Sequence, residues 1–275
     1  MYSITSTKKL HNGIEMPRFG LGVYKMDHSE EAFNAIKKAL DTGYIAVDTA
    51  AFYKNEQQVG EGLRASGKKR EDIFITSKVW NTDQGYDETL RAFEKTLKAL
   101  NTDYLDLYLT HWPVLEKFRE TYRAIERLYD EKLIKSTGVS NHEIHHLEKL
   151  FTSANIKPMV NQIELHPYLS QVELRNFCKT NGIVITAWSP LGRGKVLQDE
   201  TIKAIGEKYG KSIAQTIIRW HLQSDHIVIP KSVTPNRIEE NANVFDFELT
   251  AEDMATINEL NRNERFGSHP DHFKF

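Results

Sequence analysis

The sequence predicts an α/β protein folded as a (β/α)8 TIM barrel, because eight β-rich runs alternate with segments of helical periodicity. Its 275 residues suit such a barrel, which takes about 250 residues as a single unit. No linker interrupts the alternation, so we expect one domain over residues 1–275. Ahead of the barrel, Asn12-Gly13 lies between two short arms and predicts a β-hairpin that plugs one end.

The predicted strands are short runs rich in β-branched, apolar and aromatic residues. In chain order they are RFGLGV (18–23), YIAVD (44–48), DIFITSK (72–78), DYLDLYLT (103–110), LIKSTGV (133–139), PMVNQIEL (158–165), GIVITAW (182–188) and HIVIP (226–230).

Start signals mark several of the predicted helices. Ser170 and Ser212 each precede a Glu or Gln by three residues, the spacing of a capping box ahead of an apolar periodic run. The seventh unit holds two helical patterns, over 199–209 and 212–223, and another follows Thr250. We therefore expect helices beyond those of a plain barrel.

Composition narrows the possible partners. The chain has 36 basic and 38 acidic residues, so neither nucleic acid nor an anionic membrane is an expected partner. The single cysteine, Cys178, excludes an internal disulfide and is expected to be a buried, inert thiol. The amino terminus lacks the apolar core of a signal peptide, and no later stretch approaches the ~18 apolar residues of a membrane span. We expect a cytoplasmic monomer.

Candidate catalytic residues gather where the strands end. The carboxyl ends of barrel strands meet at one face, and Asp48, Lys78 and His111 close the second, third and fourth predicted strands. A carbonyl that accepts a hydride needs a proton, and Tyr53 is the candidate acid. A nearby Lys78 ammonium would lower the pKa of Tyr53, Asp48 would keep Lys78 charged, and a neutral His111 would orient the carbonyl.

Several sequence strings carry a family resemblance over nearly the whole chain. They are GYIAVDTAAFYKNE, ITSKVWN, LYLTHWP, GVSN, NQIELHP, AWSPLGRG and IPKSVTPNRIEEN, and they resemble the successive motifs of the aldo-keto reductases. The resemblance implies that Asp48, Tyr53, Lys78 and His111 form the catalytic set, with tyrosine as general acid and NADPH as the hydride source. The compact form is similar to the bacterial branch of glyoxal, methylglyoxal and 2,5-diketogluconate reductases.

The resemblance also implies a cofactor site for NADPH/NADP+. It assigns Ser140, Asn141 and Gln162 to the nicotinamide carboxamide and Trp188 to stacking on the ring. The other implied contacts are Ser189, Leu191, Gly194 and Lys195 around the pyrophosphate, and Lys231, Ser232, Arg237, Glu240 and Asn241 around the adenosine end. Lys231 and Arg237 favour a 2′-phosphate, and hence NADPH over NADH. No G-x-G-x-x-G string follows a strand, which argues against a Rossmann domain.

The expected substrate is a small carbonyl compound in an open, partly aromatic pocket formed by Tyr24, Trp80, His111 and Trp112. Departures from the family pattern include His142 after GVSN, where phenylalanine is frequent. The tail after Arg265 is short, so the pocket walls of longer relatives are expected to be reduced.

Other interpretations remain open at this stage. The chain could be a nucleotide-sensing regulatory protein similar to potassium-channel β subunits, with little turnover, or a barrel hydrolase that uses Asp48 and Glu164. The spacing of His142, His145 and His146 could suit a metal, but we expect no metal site and a solvated helix face. Asn141 could also cap the helix that follows it.

Overall fold

A closed parallel barrel forms the centre of the molecule. The computed structural model describes residues 2–26 and 29–273. After the hairpin strands β1 (Thr7–Lys9) and β2 (Glu15–Pro17), the barrel strands follow: β3 (Leu21–Gly22), β4 (Ala46–Asp48), β5 (Phe74–Val79), β6 (Leu107–Thr110), β7 (Thr137–Ser140), β8 (Val160–Glu164), β9 (Val184–Trp188) and β10 (Ile227–Val228).

Each barrel strand pairs in parallel with the next one along the chain, from β3 to β10. A parallel bridge between Phe19 and Val228 closes the ring, supported by the hydrogen bond from the Gly20 N–H to the Val228 carbonyl at 3.1 Å. The predicted (β/α)8 barrel is therefore confirmed, with all eight predicted strands present and shorter than their sequence runs.

Helices surround the barrel: α1 (Ser29–Thr42), α2 (Glu56–Ala65), α3 (Tyr86–Leu100), α4 (Phe118–Asp130), α5 (Ile144–Phe151), α6 (Val172–Thr180), α7 (Glu200–Lys208), α8 (Ile213–Gln223), α9 (Pro235–Ala242) and α10 (Ala251–Asn258). Both α7 and α8 lie between β9 and β10, and α10 follows the last unit. The extra helices predicted from sequence are present.

The amino-terminal hairpin closes the bottom of the barrel. β1 pairs antiparallel with β2, and Gly13 in the loop between them has a φ of 91°, which glycine adopts without strain. Leu10 and Met16 are buried in one apolar cluster with Phe74 and Val184, which stand at the starts of their strands. This end is filled, and the opposite end is left for ligands.

The two predicted capping boxes have different outcomes in the structure. Ser212 caps α8 in a capping box with Gln215, as expected. Ser170 does not cap α6, because the helix begins at Val172 after Gln171 adopts a left-handed φ of 45°. The backbone N–H of Ser170 instead donates to Asn261 at 2.9 Å, so a distant segment determines where the helix starts.

Asn141 does not cap α5. Glu143 holds that position, and its side chain and that of His146 form the capping box. No helix among the described residues is long and apolar enough to span a bilayer.

Candidate active site

A cavity of about 1150 Å³ opens at the carboxyl ends of the barrel strands. The predicted site residues that line it are Tyr24, Asp48, Tyr53, Trp80, His111, Trp112, Ser140, Asn141, Gln162, Trp188, Ser189, Leu191, Gly194, Lys231, Ser232, Arg237, Glu240 and Asn241. The structure thus brings together residues from eight segments of the chain that are far apart in the sequence.

Two predicted site residues do not line this cavity. Lys78 is fully buried and contacts two residues that do line it, Asp48 and Tyr53. Lys195 places its ammonium 4.5 Å from the centre of the Phe266 ring. Its position therefore does not support the predicted pyrophosphate contact.

A buried ion pair forms the floor of the site. The Lys78 ammonium donates to Asp48 Oδ1 at 2.5 Å and to the Thr49 carbonyl at 2.8 Å. The second carboxylate oxygen of Asp48 accepts from Gln162 Nε2 at 2.7 Å. Since the two charges pair with each other and each has a further hydrogen bond, their burial is compensated.

Tyr53 connects this pair to the cavity. Its hydroxyl lies 3.4 Å from the Lys78 ammonium. Burial raises the pKa of Tyr53, and this effect outweighs the lowering by Lys78, so the phenol is protonated at neutral pH. The sequence predicted the direction of the Lys78 effect, but it missed that burial determines the net shift.

Lys78 itself is charged. Burial alone would lower the pKa of its ammonium, but the attraction of Asp48 and Tyr53 raises it above its ordinary value. A positive charge is therefore maintained directly below the tyrosine hydroxyl.

His111 lies beside Tyr53, with ring centres 5.9 Å apart and planes at 77°. Burial, and then the Lys78 charge, holds the pKa of His111 well below its ordinary value, so the ring is neutral, as the sequence analysis expected. Its Nδ1 is buried without a hydrogen-bond partner among the described residues. Because His111 lines the cavity, Nε2 is the nitrogen that faces it.

A second network joins the ends of β7 and β9. Asn141, whose φ is 60°, donates from its amide nitrogen to the His111 carbonyl at 2.9 Å. Its amide oxygen accepts from the Trp188 indole nitrogen at 2.8 Å. Asparagine tolerates this left-handed backbone better than most residues. Asn141 thereby ties the Trp188 ring to the backbone of His111.

Part of the cavity wall is cationic. Arg193, Lys231 and Arg237 line the cavity, and none of them forms an ion pair with a carboxylate among the described residues. The Arg193 guanidinium lies 5.9 Å from the centre of the Trp188 ring. Glu240, predicted to lie near Lys231 and Arg237, accepts instead from the Ser212 hydroxyl at 2.5 Å. Unneutralised cations in a concave wall indicate an anionic ligand.

Aromatic rings form the mouth of the cavity. Tyr24 lies 5.0 Å from Tyr53 between ring centres, and Trp80 stacks on Phe52 at 3.8 Å. Sequence analysis missed Phe52, although it directly precedes Tyr53 in the AFYKNE string.

The carboxyl-terminal tail supplies another missed wall. Phe273 lines the cavity and stacks on Trp112, with ring centres 4.4 Å apart and planes at 14°. The sequence predicted pocket walls reduced relative to those of longer relatives, and it did not predict that the short tail itself supplies part of the wall. The tail folds back across the barrel mouth, and sequence patterns do not report such long-range packing.

The histidine-rich start of α5 differs from its predicted solvated face. His142 and His146 are buried, and only His145 is exposed. Donor atoms of His145, His146 and Asp271 lie within 4.8 Å of one another, so their spacing permits a metal ion. However, His146 Nδ1 accepts the Glu143 N–H at 3.2 Å, which leaves the proton of the neutral ring on Nε2, the atom that faces Asp271. The tautomer disfavours metal binding by His146.

The hydrolase alternative requires two carboxylates that face one space. Glu164 does not line the cavity, and its carboxylate accepts from His166 and from the backbone N–H groups of Phe266 and Gly267. Asp48 is occupied by Lys78 and Gln162. The arrangement favours proton donation by a phenol over carboxylate-assisted hydrolysis.

Comparison with known proteins identifies the family. The profile of the Aldo/keto reductase family matches residues 18–262. The glyoxal reductase of Bacillus subtilis strain 168 is 55% identical over 273 residues, which are 99% of this chain and 99% of that protein. Methylglyoxal reductase DkgA of Escherichia coli K12 is 45% identical over 269 residues, covering 96% of this chain and 97% of that protein.

A solved structure gives the same result. A mutant of Gox0644 in complex with NADPH superposes with a TM-score of 0.94 at 44% identity, covering 98% of this chain and 99% of that one. Since the profile, the relatives and the fold agree over nearly the whole sequence, the protein is a member of the aldo/keto reductase family.

Proposed function

We propose that this protein reduces small aldehydes and ketones to alcohols, with NADPH as the hydride donor and Tyr53 as the general acid. One observation carries the proposal: Tyr53 lines the cavity beside a neutral His111, and its hydroxyl lies 3.4 Å from the ammonium of a buried Lys78–Asp48 pair. Aldo/keto reductase relatives named for glyoxal and methylglyoxal support this reaction class.

The chemistry of the cavity wall fits NADPH. Arg193, Lys231 and Arg237 provide the positive charge that its phosphates require, and none is neutralised by a carboxylate among the described residues. Planar guanidinium groups suit phosphate particularly well. We assign Lys231 and Arg237 to the 2′-phosphate, with Ser232, Glu240 and Asn241 nearby, and therefore expect NADPH to be preferred over NADH.

Another set of residues in the same cavity fits a nicotinamide. Ser140, Asn141 and Gln162 offer hydroxyl and amide groups for the carboxamide, and Trp188 offers an aromatic face for the ring. Ser189, Leu191 and Gly194 also line the cavity and would contact the pyrophosphate. When bound there, NADPH supplies a hydride to the substrate.

Tyr53 completes the reduction by donating its phenolic proton to the carbonyl oxygen as that oxygen gains charge. Its raised pKa ensures that the proton is present beforehand. The phenolate left behind lies 3.4 Å from the Lys78 ammonium, which stabilises it. Asp48 keeps Lys78 charged and oriented throughout.

His111 would position the substrate. With Nδ1 buried, the neutral ring presents Nε2–H to the cavity as a hydrogen-bond donor. A donor fixed at this point holds the carbonyl oxygen near the Tyr53 hydroxyl.

The aromatic mouth suggests the substrate class. Tyr24, Trp80 and Trp112 form open, mostly apolar walls, and the Lys25 ammonium lies 5.6 Å from the centre of the Tyr24 ring. Small, uncharged dicarbonyl compounds such as glyoxal and methylglyoxal suit these walls, and keto-sugars form the next class to test.

The direct test follows NADPH oxidation in the presence of methylglyoxal, glyoxal or keto-sugars, with NADH as the comparison. The wild-type protein should oxidise NADPH in a carbonyl-dependent manner. The variant Tyr53→Phe should bind NADPH normally and lose turnover by about a hundredfold or more, the contribution of a positioned acid. Undiminished turnover in this variant would refute the role of Tyr53.

The same experiment separates an enzyme from a nucleotide-sensing regulatory protein. A sensor would bind NADPH tightly and show negligible turnover already in the wild type. The intact set of Asp48, Tyr53, Lys78 and His111 favours the enzyme.

A further inference from the structure

We propose that Glu164 is a positioning residue that holds the backbone of Phe266 and Gly267 against Trp188 and thereby fixes the plane on which the nicotinamide stacks. We call Glu164, Phe266, Gly267 and Trp188 the tail clamp. The inference rests on the proposed function, because it concerns the site assigned to the nicotinamide.

Glu164 is the anchor of the tail clamp. It ends β8, pairs in register with Trp188 at the end of β9, and is fully buried. Its carboxylate accepts from the Phe266 N–H at 2.7 Å, from the Gly267 N–H at 3.0 Å and from His166 Nε2 at 3.2 Å. Burial would raise the pKa of Glu164, but these hydrogen bonds hold it below its ordinary value, so the carboxylate is ionised.

Glu164 is buried and ionised although it does not line the cavity. Its donors are mainly backbone N–H groups of a segment about a hundred residues further along the chain. Charge-assisted hydrogen bonds of this kind are roughly twice as strong as neutral ones. Glu164 therefore ties the tail to the barrel at the point where β8 and β9 end.

Gly267 transmits this anchoring to Trp188 by close contact. A Cβ placed on Gly267 would lie 2.4 Å from Trp188 Cη2 and 2.9 Å from Glu164 Oε2. Only a residue without a side chain fits between the carboxylate and the indole. The tail backbone thus packs directly on the benzo edge of the tryptophan.

Trp188 is held at both edges. Its indole nitrogen donates to Asn141 Oδ1 at 2.8 Å, and its opposite edge meets Gly267. An aromatic ring fixed at two edges keeps its plane without help from a ligand. Such preorganisation matters because hydride transfer depends on the angle and distance of the nicotinamide.

Phe266 extends the tail clamp to the neighbouring loop. Its ring stacks on His166, with centres 4.8 Å apart, and lies under the Lys195 ammonium at 4.5 Å. A Cβ on Gly192 would lie 3.0 Å from the same ring. The loop that follows Trp188 thus packs against the tail segment that Glu164 holds. Lys195 has a structural role in this packing, because its ammonium contacts the Phe266 ring.

The test uses two variants of the full chain, Glu164→Gln and Gly267→Ala. Glutamine at 164 keeps the shape of the glutamate side chain but replaces one acceptor oxygen with an amide N–H₂, which cannot accept from the backbone N–H groups. Alanine at 267 forces Trp188 or the tail to move. We expect Trp188 fluorescence to become more accessible to acrylamide without nucleotide, measured as a difference against Trp188→Phe. With NADPH, we expect a higher Kd and a kcat lower by about tenfold to a hundredfold, the effect of an ångström-scale misplacement.

Gly60→Ala is the matched control. Its Cβ would lie 2.4 Å from the Leu100 carbonyl oxygen, an equal clash in α2, and Gly60 does not line the cavity. This variant should lose thermal stability but keep Trp188 accessibility, the Kd for NADPH and kcat.

Two failures are distinguishable. If Glu164→Gln and Gly267→Ala lower Tm as Gly60→Ala does but keep wild-type Trp188 accessibility and kcat, the residues are merely structural and the positioning role is overturned. If the wild-type protein itself fails to bind NADPH, the proposed function is refuted, whereas the nucleotide-free acrylamide comparison still reports on the tail clamp.

Discussion

At the scale of single residues, the site depends on the positive charge of the buried Lys78 ammonium. Lys78 is fully buried, and Asp48 and the Thr49 carbonyl accept hydrogen bonds from its ammonium. Tyr53 keeps its proton at neutral pH because it is buried, yet its conjugate base would form next to an ammonium. Burial keeps the proton on Tyr53. It also strengthens the attraction between the Lys78 ammonium and the phenolate that forms when the proton is lost.

Replacing Lys78 tests this arrangement. Lys78→Met should lower kcat by roughly two to four orders of magnitude, because the phenolate loses its stabilising charge while burial persists. It should also lower the free energy of unfolding by about 3–5 kcal/mol, since Asp48 would remain as an uncompensated buried charge. Steady-state kinetics and denaturant unfolding measure the two effects.

The double variant Asp48→Asn with Lys78→Met separates chemistry from stability. Removing both charges should restore much of the unfolding free energy, but turnover should stay low. Recovery of kcat together with stability would show that Lys78 acts through folding alone.

At the scale of secondary-structure elements, the sequence predicted what local periodicity and strand ends determine. All eight strands, the hairpin and the extra helices follow from local patterns, and Asp48, Lys78 and His111 meet because barrel strands are parallel. Local patterns did not predict features that depend on contacts between distant segments. Ser170 does not cap α6, and its backbone N–H donates to Asn261 instead. The tail forms part of the cavity wall because Phe273 stacks on Trp112.

The tail is therefore expected to shape substrate binding. Phe273→Ala should raise the KM for methylglyoxal by about two- to tenfold, because an aromatic pair contributes roughly 0.5–1.5 kcal/mol beyond its buried area. The Kd for NADPH and kcat should change little. Steady-state kinetics over a series of aldehydes measures the effect, and bulkier aldehydes should be tolerated better.

Phe151→Ala provides the control for this truncation. Phe151 stacks on Phe177 between α5 and α6, and neither ring lines the cavity. An unchanged KM in Phe273→Ala, or an equal rise in Phe151→Ala, would contradict the role of the tail.

At the scale of the whole molecule, buried neutral histidines link stability to pH. Burial lowers the pKa of His142 and of His221 to about 3, and that of His146 to about 4. The unfolded chain binds protons at these rings below a pH of about 6.5, whereas the folded protein does not. Their contribution to stability is therefore present above that pH and is lost as the pH falls toward 3–4.

His142→Phe isolates one such contribution. His142 Nδ1 donates to the Ser140 carbonyl at 2.9 Å, and Nε2 is buried without a partner among the described residues, so protonation would bury an unpaired N–H and a charge. Each histidine of this kind can remove up to about 1.4 kcal/mol of stability per pH unit. The variant should unfold at a slightly lower Tm at neutral pH, because one hydrogen bond is lost, but its Tm should fall less steeply toward about pH 5.

The variant His272→Gln, at an exposed histidine, serves as the control and should keep the wild-type slope of Tm against pH. Parallel slopes for the wild type and His142→Phe would mean that His142 is not protonated on unfolding in this range, contrary to the burial that the barrel imposes on it.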